Sequence, residues 1–326
     1  MKSVKRILTW ESVRGPCPHA GRSRAARLPL ALLLVALPLG LGCSPRSAAT
    51  WLVANAVSGE SRTYADDDDP ELIREAVPFG LKTMEGLLED HPEHERLLTT
   101  LAARFTQYTY AFVQSDADEA ELNGRSGPAR ASRERARKLF LRARDYGLRG
   151  LEVRHKGMAA RLRAIRDLDS ALAALSKDDL PLVYWTAASW ALAIASAKED
   201  MSLVAELPVP GALMHRALAI DESWGAGAIH EFFISWEVSQ GGADGPRRAR
   251  EHFQRALALS GGKKLSVFVS YAESVSVAVQ DRAEFKQLLE RVVAADAESD
   301  RKDRLINVLA QRRARLLLAH IDDLFA

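Results

Sequence analysis

Apolar residues recur along this chain at steps of three and four. Ile73, Val77, Leu81, Met84 and Leu88 form one such series, and Leu97, Leu101, Phe105, Tyr108 and Phe112 form the next. Leu139, Ala143, Tyr146 and Gly150 form another, and Leu305, Leu309, Leu316 and Leu317 continue the pattern near the end. This is the spacing of one face of an α-helix, and it predicts amphipathic helices. No sustained alternating run bounded by turns occurs, so few or no strands are expected. The punctuation agrees. "DDDDPE" offers Asp69 as N-cap with Pro70 in the first helical position, and "DHPEHE" ends one helix and begins another. "NGRSGPA", "ELPVPG", "QGGADGP" and "SGGKK" read as loops. Roughly a dozen helices are predicted from residue 46 onward.

A weak internal repeat runs through the second half. "RALAID" (216–221), "RALALS" (255–260) and "RVVAAD" (291–296) recur at spacings of 39 and 36 residues. Before the second lies the pair Ala249 and Phe253, four apart, a small–large combination that lets paired helices pack closely. The expected fold class is therefore all-α, a helical-hairpin solenoid of degenerate tetratricopeptide-like repeats, with a concave face suited to binding.

The first 44 residues follow another pattern. Leu28 to Leu41, "LPLALLLVALPLGL", is 14 apolar residues with two prolines. Spanning a bilayer takes about 20, so the run has the length of a signal-peptide core instead. Arg22, Arg24 and Arg27 precede it, and Gly42 and Cys43 follow. A small residue before a cysteine at this place resembles a bacterial lipobox, although Gly40 stands where a leucine is usual. A plain secretory signal and an uncleaved N-terminal anchor are the other readings. The expected organisation is a lipoprotein-type signal peptide over 1–42 and a single helical domain over 43–326, tethered through lipid on Cys43 and facing the periplasm. Ser44 favours the outer membrane over the inner.

Composition refines this. Of the 326 residues 47% are hydrophobic and 27% charged, as in ordinary globular proteins. The formal charge of +2 hides a net +6 in residues 1–42, leaving −4 for the remainder. A weakly acidic body gives no reason to expect nucleic acid as partner. The only cysteines are Cys17 and Cys43, so the body has no disulfide framework, thiolate zinc site or cysteine nucleophile. Charge is unevenly spread: residues 60–95 carry a net −9 and residues 125–166 a net +11. The two segments either face each other, within one chain or between subunits, or the basic one meets an acidic partner or anionic lipid. Arg137, Arg142 and Arg144 are the candidate interface residues.

Catalytic motifs are absent. His91 and His94 stand three apart across a proline with no third ligand, and His230–Glu231 lacks the second histidine of a zinc-protease helix. Asp66 to Asp69 lacks the alternation of a calcium loop, and "GAGAIH" follows no strand. No enzyme activity, cofactor or metal is expected. Aromatics instead cluster: "YWTAASW" holds Tyr184, Trp185 and Trp190 among small residues, and Trp224, Phe232, Phe233 and Trp236 follow. They are either core or the lining of an apolar ligand cleft.

Seven segments together resemble one family, the T component of tripartite ATP-independent periplasmic (TRAP) transporters, or TatT. They are "PFGLKTMEGLL" (78–88), "RFTQYTYAFVQ" (104–114), "RARDYGLRGL" (142–151), "LVYWTAASWALAI" (182–194), "GAIHEFFISWE" (227–237), "RAREHFQRALALSGG" (248–262) and "RRARLLLAHIDDLF" (312–325). The resemblance implies a lipoprotein with an all-helical tetratricopeptide-like fold. It implies a homotrimer with clefts and a pore, and association with a periplasmic solute-binding protein, with small hydrophobic ligands as cargo. It carries the lipidated cysteine over to Cys43 and supplies no catalytic residues. Phe105, Tyr108, Tyr184, Trp185, Trp190, Phe232 and Phe233 lie in matching segments and are the candidate ligand contacts. The alternative is a scaffold lipoprotein of cell-envelope assembly.

Overall fold

A computed structural model describes residues 45–325 apart from 60–61 and 166–167. The proposed signal segment 1–42 and the lipidation residue Cys43 lie outside the described residues. Everything described is helix, turn or loop. In chain order the α-helices are α1 (Pro45–Val57), α2 (Pro70–Asp90), α3 (Glu95–Tyr108), α4 (Ser115–Leu122), α5 (Ser126–Arg154), α6 (Met158–Ala164), α7 (Leu168–Ala173) and α8 (Leu180–Ala195). They continue as α9 (Met201–Val204), α10 (Pro208–Ile220), α11 (Ala228–Ser239), α12 (Gly245–Ser260), α13 (Leu265–Tyr271), α14 (Arg282–Ala294), α15 (Arg304–Ala319) and α16 (Ile321–Leu324). Residues 45–326 form one compact unit.

The local signals act as the sequence predicts. The Asp69 carboxylate accepts the N–H groups of Glu71 and Leu72 at 3.0 and 3.1 Å, and Pro70 opens α2. Such a cap satisfies donors that the helix leaves free and stabilises by about 1 kcal/mol. His94 caps α3 in the same way, its Nδ1 accepting from the N–H of Leu97 at 3.2 Å. The recurring segments ending in "RALAID", "RALALS" and "RVVAAD" close α10, α12 and α14 respectively.

Helices pack against near neighbours in chain order: α3 on α5, α5 on α8, α8 on α10, α11 on α12. Glycines bring α5 and α8 close together. A Cβ on Gly147 would lie 2.1 Å from Thr186 Oγ1, and one on Gly150 would lie 2.4 Å from a Leu182 methyl. Glycine is the one residue that fits there, which brings the two backbones together over the side chains between them. One apolar core runs from α1 to α11, a second joins α13, α14 and α15, and a third lies between α11, α12 and α13. Met201–Ile220 is long and apolar enough to cross a membrane by length and composition. It is two helices, α9 and α10, and Val209, Leu213, Met214 and Ala217 on it are fully buried in the core.

Helix α15 ties the succession together. Its Leu305 and Leu309 pack on the first core while Ala310, Ala314 and Leu317 belong to the second. Its buried amides hold other helix ends. Asn307 accepts from the Leu265 N–H at 3.0 Å and donates to the Lys263 carbonyl at 3.1 Å, and Gln311 donates to the Ala295 carbonyl at 2.7 Å. It also returns to the first part of the chain. The Leu305 N–H donates to the Ala65 carbonyl at 3.0 Å, Arg304 pairs with Asp68 at 2.6 Å, and Arg312 pairs with Glu71 at 2.6 Å.

Helices α11 and α12 are joined by a histidine pair. His230 and His252 meet Nδ1 to Nδ1 at 2.8 Å, so one ring donates and the other accepts. Burial holds both below their ordinary value of 6.5, against the Glu222 carboxylate at His230 and with the charge of His230 adding to it at His252. A depressed folded-state pKa gives stability that is present above the unfolded value and lost as pH falls through the folded one. Unfolding midpoints in urea should therefore fall as pH is lowered from 7 to 5, and His252→Gln should flatten that slope. An unchanged slope in the variant would remove the pair from the explanation.

Candidate functional site

Two helices carry a π turn, an extra residue in the hydrogen-bonding register that turns a side chain out of the packed face. Thr109–Gln114 interrupts the run from α3 to α4, and Ala272–Ser276 follows α13. In the first, Thr109, Phe112 and Val113 are buried while Tyr110 exposes 54% of its surface. In the second, Ala272, Val275 and Ser276 are buried and Glu273 stands off them. Glu273 accepts from Arg313 Nε of α15 at 2.9 Å, and Arg313 also lies 3.4 Å from Asp118 of α4.

These groups share one electrostatic environment. The Tyr110 phenol is pushed well above its usual range, by burial first and then by Glu273, with Glu231 and Asp118 adding to it against Arg313. The Tyr184 phenol of α8 is pushed up likewise, by burial and then by Glu231 and Tyr110. Tyr110, Tyr184, Glu231, Glu273 and Arg313 thus form one electrostatic cluster, to which the two π turns, α8, α11 and α15 contribute. Beside it a cavity of about 230 Å³ is bounded by Asp118, Leu122, Glu273, Val277, Arg313 and Leu317.

Glu231 is the distinctive member. Burial raises its carboxyl, with Lys264, Ser266 and Ser270 acting against that. Among the described residues it forms no ion pair within 4 Å, whereas Glu273 and Glu222 both do. Asp118 and Glu273 are also held up by burial despite Arg313. Tyr184 presents an aromatic wall, with its ring 4.6 Å from Trp224 and edge-on to Trp185 at 4.9 Å.

The predicted aromatics divide by burial. Tyr184, Trp185 and Phe232 are half-buried, and Phe232 stacks on Trp236 at 5.3 Å. Phe105, Tyr108, Trp190 and Phe233 lie in the core at 3%, 8%, 0% and 0% exposure. Tyr110, Glu273 and Arg313 were not singled out by sequence reasoning as members of a site. Tyr110 had a signal, being an aromatic off the stripe of Leu101, Phe105, Tyr108 and Phe112.

The basic segment is largely met within the chain. Arg142 lies 3.6 Å from Glu85 and over the Phe105 ring, Arg149 donates to the Pro92 carbonyl at 2.9 Å, and Arg154 donates to Glu95 at 2.6 Å. Arg144 pairs with Glu206 at 3.2 Å and covers Trp190, and Arg137 lies 3.3 Å from Asp200. Arg137 also borders an open groove of about 710 Å³ with Arg130, Arg133 and Glu134. Among the described residues no three of His, Cys, Asp and Glu are set to hold a metal ion.

A protein of Treponema pallidum (strain Nichols), itself described as uncharacterized, is 27% identical over 276 residues, covering 81% of this chain and 83% of the relative. The model of the TRAP transporter T-component family matches residues 66–325, which takes in every element from α2 to α16. Membership of that family fits a non-enzymatic accessory protein. Matched over most of its length, the chain belongs to the TRAP transporter T-component family.

Proposed function

We propose that this protein is a lipid-anchored accessory component of a TRAP-type solute transport system. It is tethered through Cys43 and faces the periplasm, at the outer membrane by the Ser44 criterion. Its helix pairs act as degenerate tetratricopeptide-like repeats; the recurrent ends of α10, α12 and α14 support that reading. It works as a homotrimer that binds a periplasmic solute-binding protein and takes up small, largely apolar solutes. The observation that carries this is the cluster of Tyr110, Tyr184 and Glu231. Aromatic faces there remain open to solvent beside a carboxylate without an ion pair. Such a wall accepts an apolar body, and Glu231 with Ser266 and Ser270 accepts its polar end.

Native mass spectrometry of the mature protein in detergent, alone and with the cognate solute-binding protein, tests this. A trimer that takes up the binding protein is expected. Tyr184→Ala should leave that complex intact and weaken retention of a bound solute about tenfold, the scale of one lost aromatic contact. A monomer that ignores the binding protein would leave the fold standing and make an envelope scaffold the better reading.

A further inference from the structure

Helix α1 is uncharged over most of its length like α8 and α13, but its apolar residues are exposed where theirs are mostly buried. From Ser47 to Gly59 it and its C-terminal turn carry no charged residue. From Thr50 onward, among the described residues, only Ala54 and Ser58, one turn apart, are buried against the body, at 0% and 8% exposure. Trp51, Leu52, Val53 and Val57 are exposed at 50%, 64%, 48% and 37%. Ala54 joins the first core, Thr50 Oγ1 lies 2.8 Å from His91 Nε2, the Trp51 ring lies 6.3 Å from that of His94, and Thr100 donates to the Ser58 carbonyl at 3.2 Å. An apolar face of this extent on a surface helix calls for something to cover it.

Chain length identifies the cover. Pro45, the first residue of α1, is two residues after Cys43. Two residues reach at most about 7 Å. If Cys43 bears the lipid, the start of α1 is therefore held at the bilayer surface. A helix of 13 residues is then about 20 Å of apolar cylinder with one end in the headgroups. A tryptophan beside Leu and Val, without acidic residues, suits the boundary between headgroups and acyl chains. Arg46, next to the tether, suits anionic lipid.

We propose that α1 lies on the bilayer, with Leu52, Val53 and Val57 turned into the lipid, so that the protein is held by a helix as well as by acyl chains. This rests on the lipid-anchor reading of Cys43. The fixed helix would set the orientation of the whole domain above the membrane, which a flexible tether does not.

The test uses the full chain, produced in cells that process lipoproteins. It carries Leu52→Cys, or Lys138→Cys as an exposed control, each bearing an environment-sensitive fluorophore. Intact mass reports acylation of Cys43 separately. The purified protein is placed on phosphatidylethanolamine–phosphatidylglycerol vesicles containing nitroxide lipids. Loss of emission at position 52 but not at 138 is expected. An acylated, vesicle-bound protein whose label at 52 is unquenched overturns the proposal. So does a label at 52 that is equally shielded without vesicles, which would make a second copy of the chain the cover. If the mass shows no acyl chain, the anchor reading fails by itself. Quenching at 52 on vesicles would then still uphold the helix–membrane contact, and no binding would remove both.

Discussion

Trp190→Ala is expected to lower the unfolding free energy by about 3–5 kcal/mol, the range for truncating a large buried aromatic. Trp190 has no exposed surface. Its Nε1 donates to Glu206 at 2.7 Å, and the Arg144 guanidinium lies 5.1 Å from its ring centre while pairing with the same glutamate. The ring stands on α8, the helix that Gly147 and Gly150 bring against α5. Two helices held this close have little freedom to collapse into the space an indole leaves, so the cavity persists and its cost adds to the lost transfer energy. Against a typical total of about 5–15 kcal/mol this is a large fraction. Urea unfolding should show a lower midpoint with an unchanged slope. A loss below about 1 kcal/mol would mean that the ring is not packed as core, and it would return Trp190 to the candidate cleft lining. Tyr184→Ala, on the same helix but open to solvent, should be the milder change for stability and the stronger one for solute retention.

Much of the fold could be read from the sequence because burial follows helical period. Ile73, Val77, Leu81, Met84 and Leu88 were one predicted stripe, and all five are buried. The N-cap at Asp69 needed only a local rule. Helix α15 shows where the reading stops. Leu305, Leu309 and Leu316 are only partly buried, while Asn307, Ala310, Gln311 and Ala314 are buried among them. The reason is tertiary: α15 lies between two cores, and its amides hold the start of α13 and the end of α14. The cluster around Tyr110 was hidden for a related reason. A π turn has no residue signature: Glu273 looks in sequence like any residue on a polar face, and Tyr110 shows only as an aromatic off the apolar stripe. Arg313 sits in a run with Arg312 and Arg315, and nothing in that run marks it as the one that turns inward. Phe232 and Phe233 are neighbours in sequence but about 100° apart around the helix, so one is half-buried and the other has no exposed surface. The charge imbalance between residues 60–95 and 125–166 was plain, and its partners at Glu85 and Glu95 follow from α2 and α3 packing beside α5.

Arg313→Met is the second large effect expected. Arg313 lies between Glu273 and Asp118, so it joins α15 to the π turn after α13 and to α4. The side chains of the three are only 23%, 25% and 28% exposed. Removing the guanidinium leaves two carboxylates that burial already holds above their ordinary values, with no positive charge between them. Breaking such a pair from one side costs about 2–4 kcal/mol, toward the lower end where some water remains. The pH dependence separates this from simple loss of packing. A raised carboxyl contributes stability that is present below its unfolded value, 4.5 for Glu273, and lost as pH rises through its folded value. Without Arg313 the folded value climbs further, so the deficit of the variant should be small near pH 4.5 and should grow toward pH 8. Adding Glu273→Gln should recover much of the loss and reduce that growth, because the buried charge goes with it. A deficit equal at both ends of the range would mean that Arg313 acts through its apolar stem alone. The same pair bears on function, since Glu273 and Arg313 belong to the cluster around Tyr110 and line the cavity of about 230 Å³. A variant that keeps the fold at low pH but loses solute retention there would show that this ion pair shapes the site as well as closing the succession of helices.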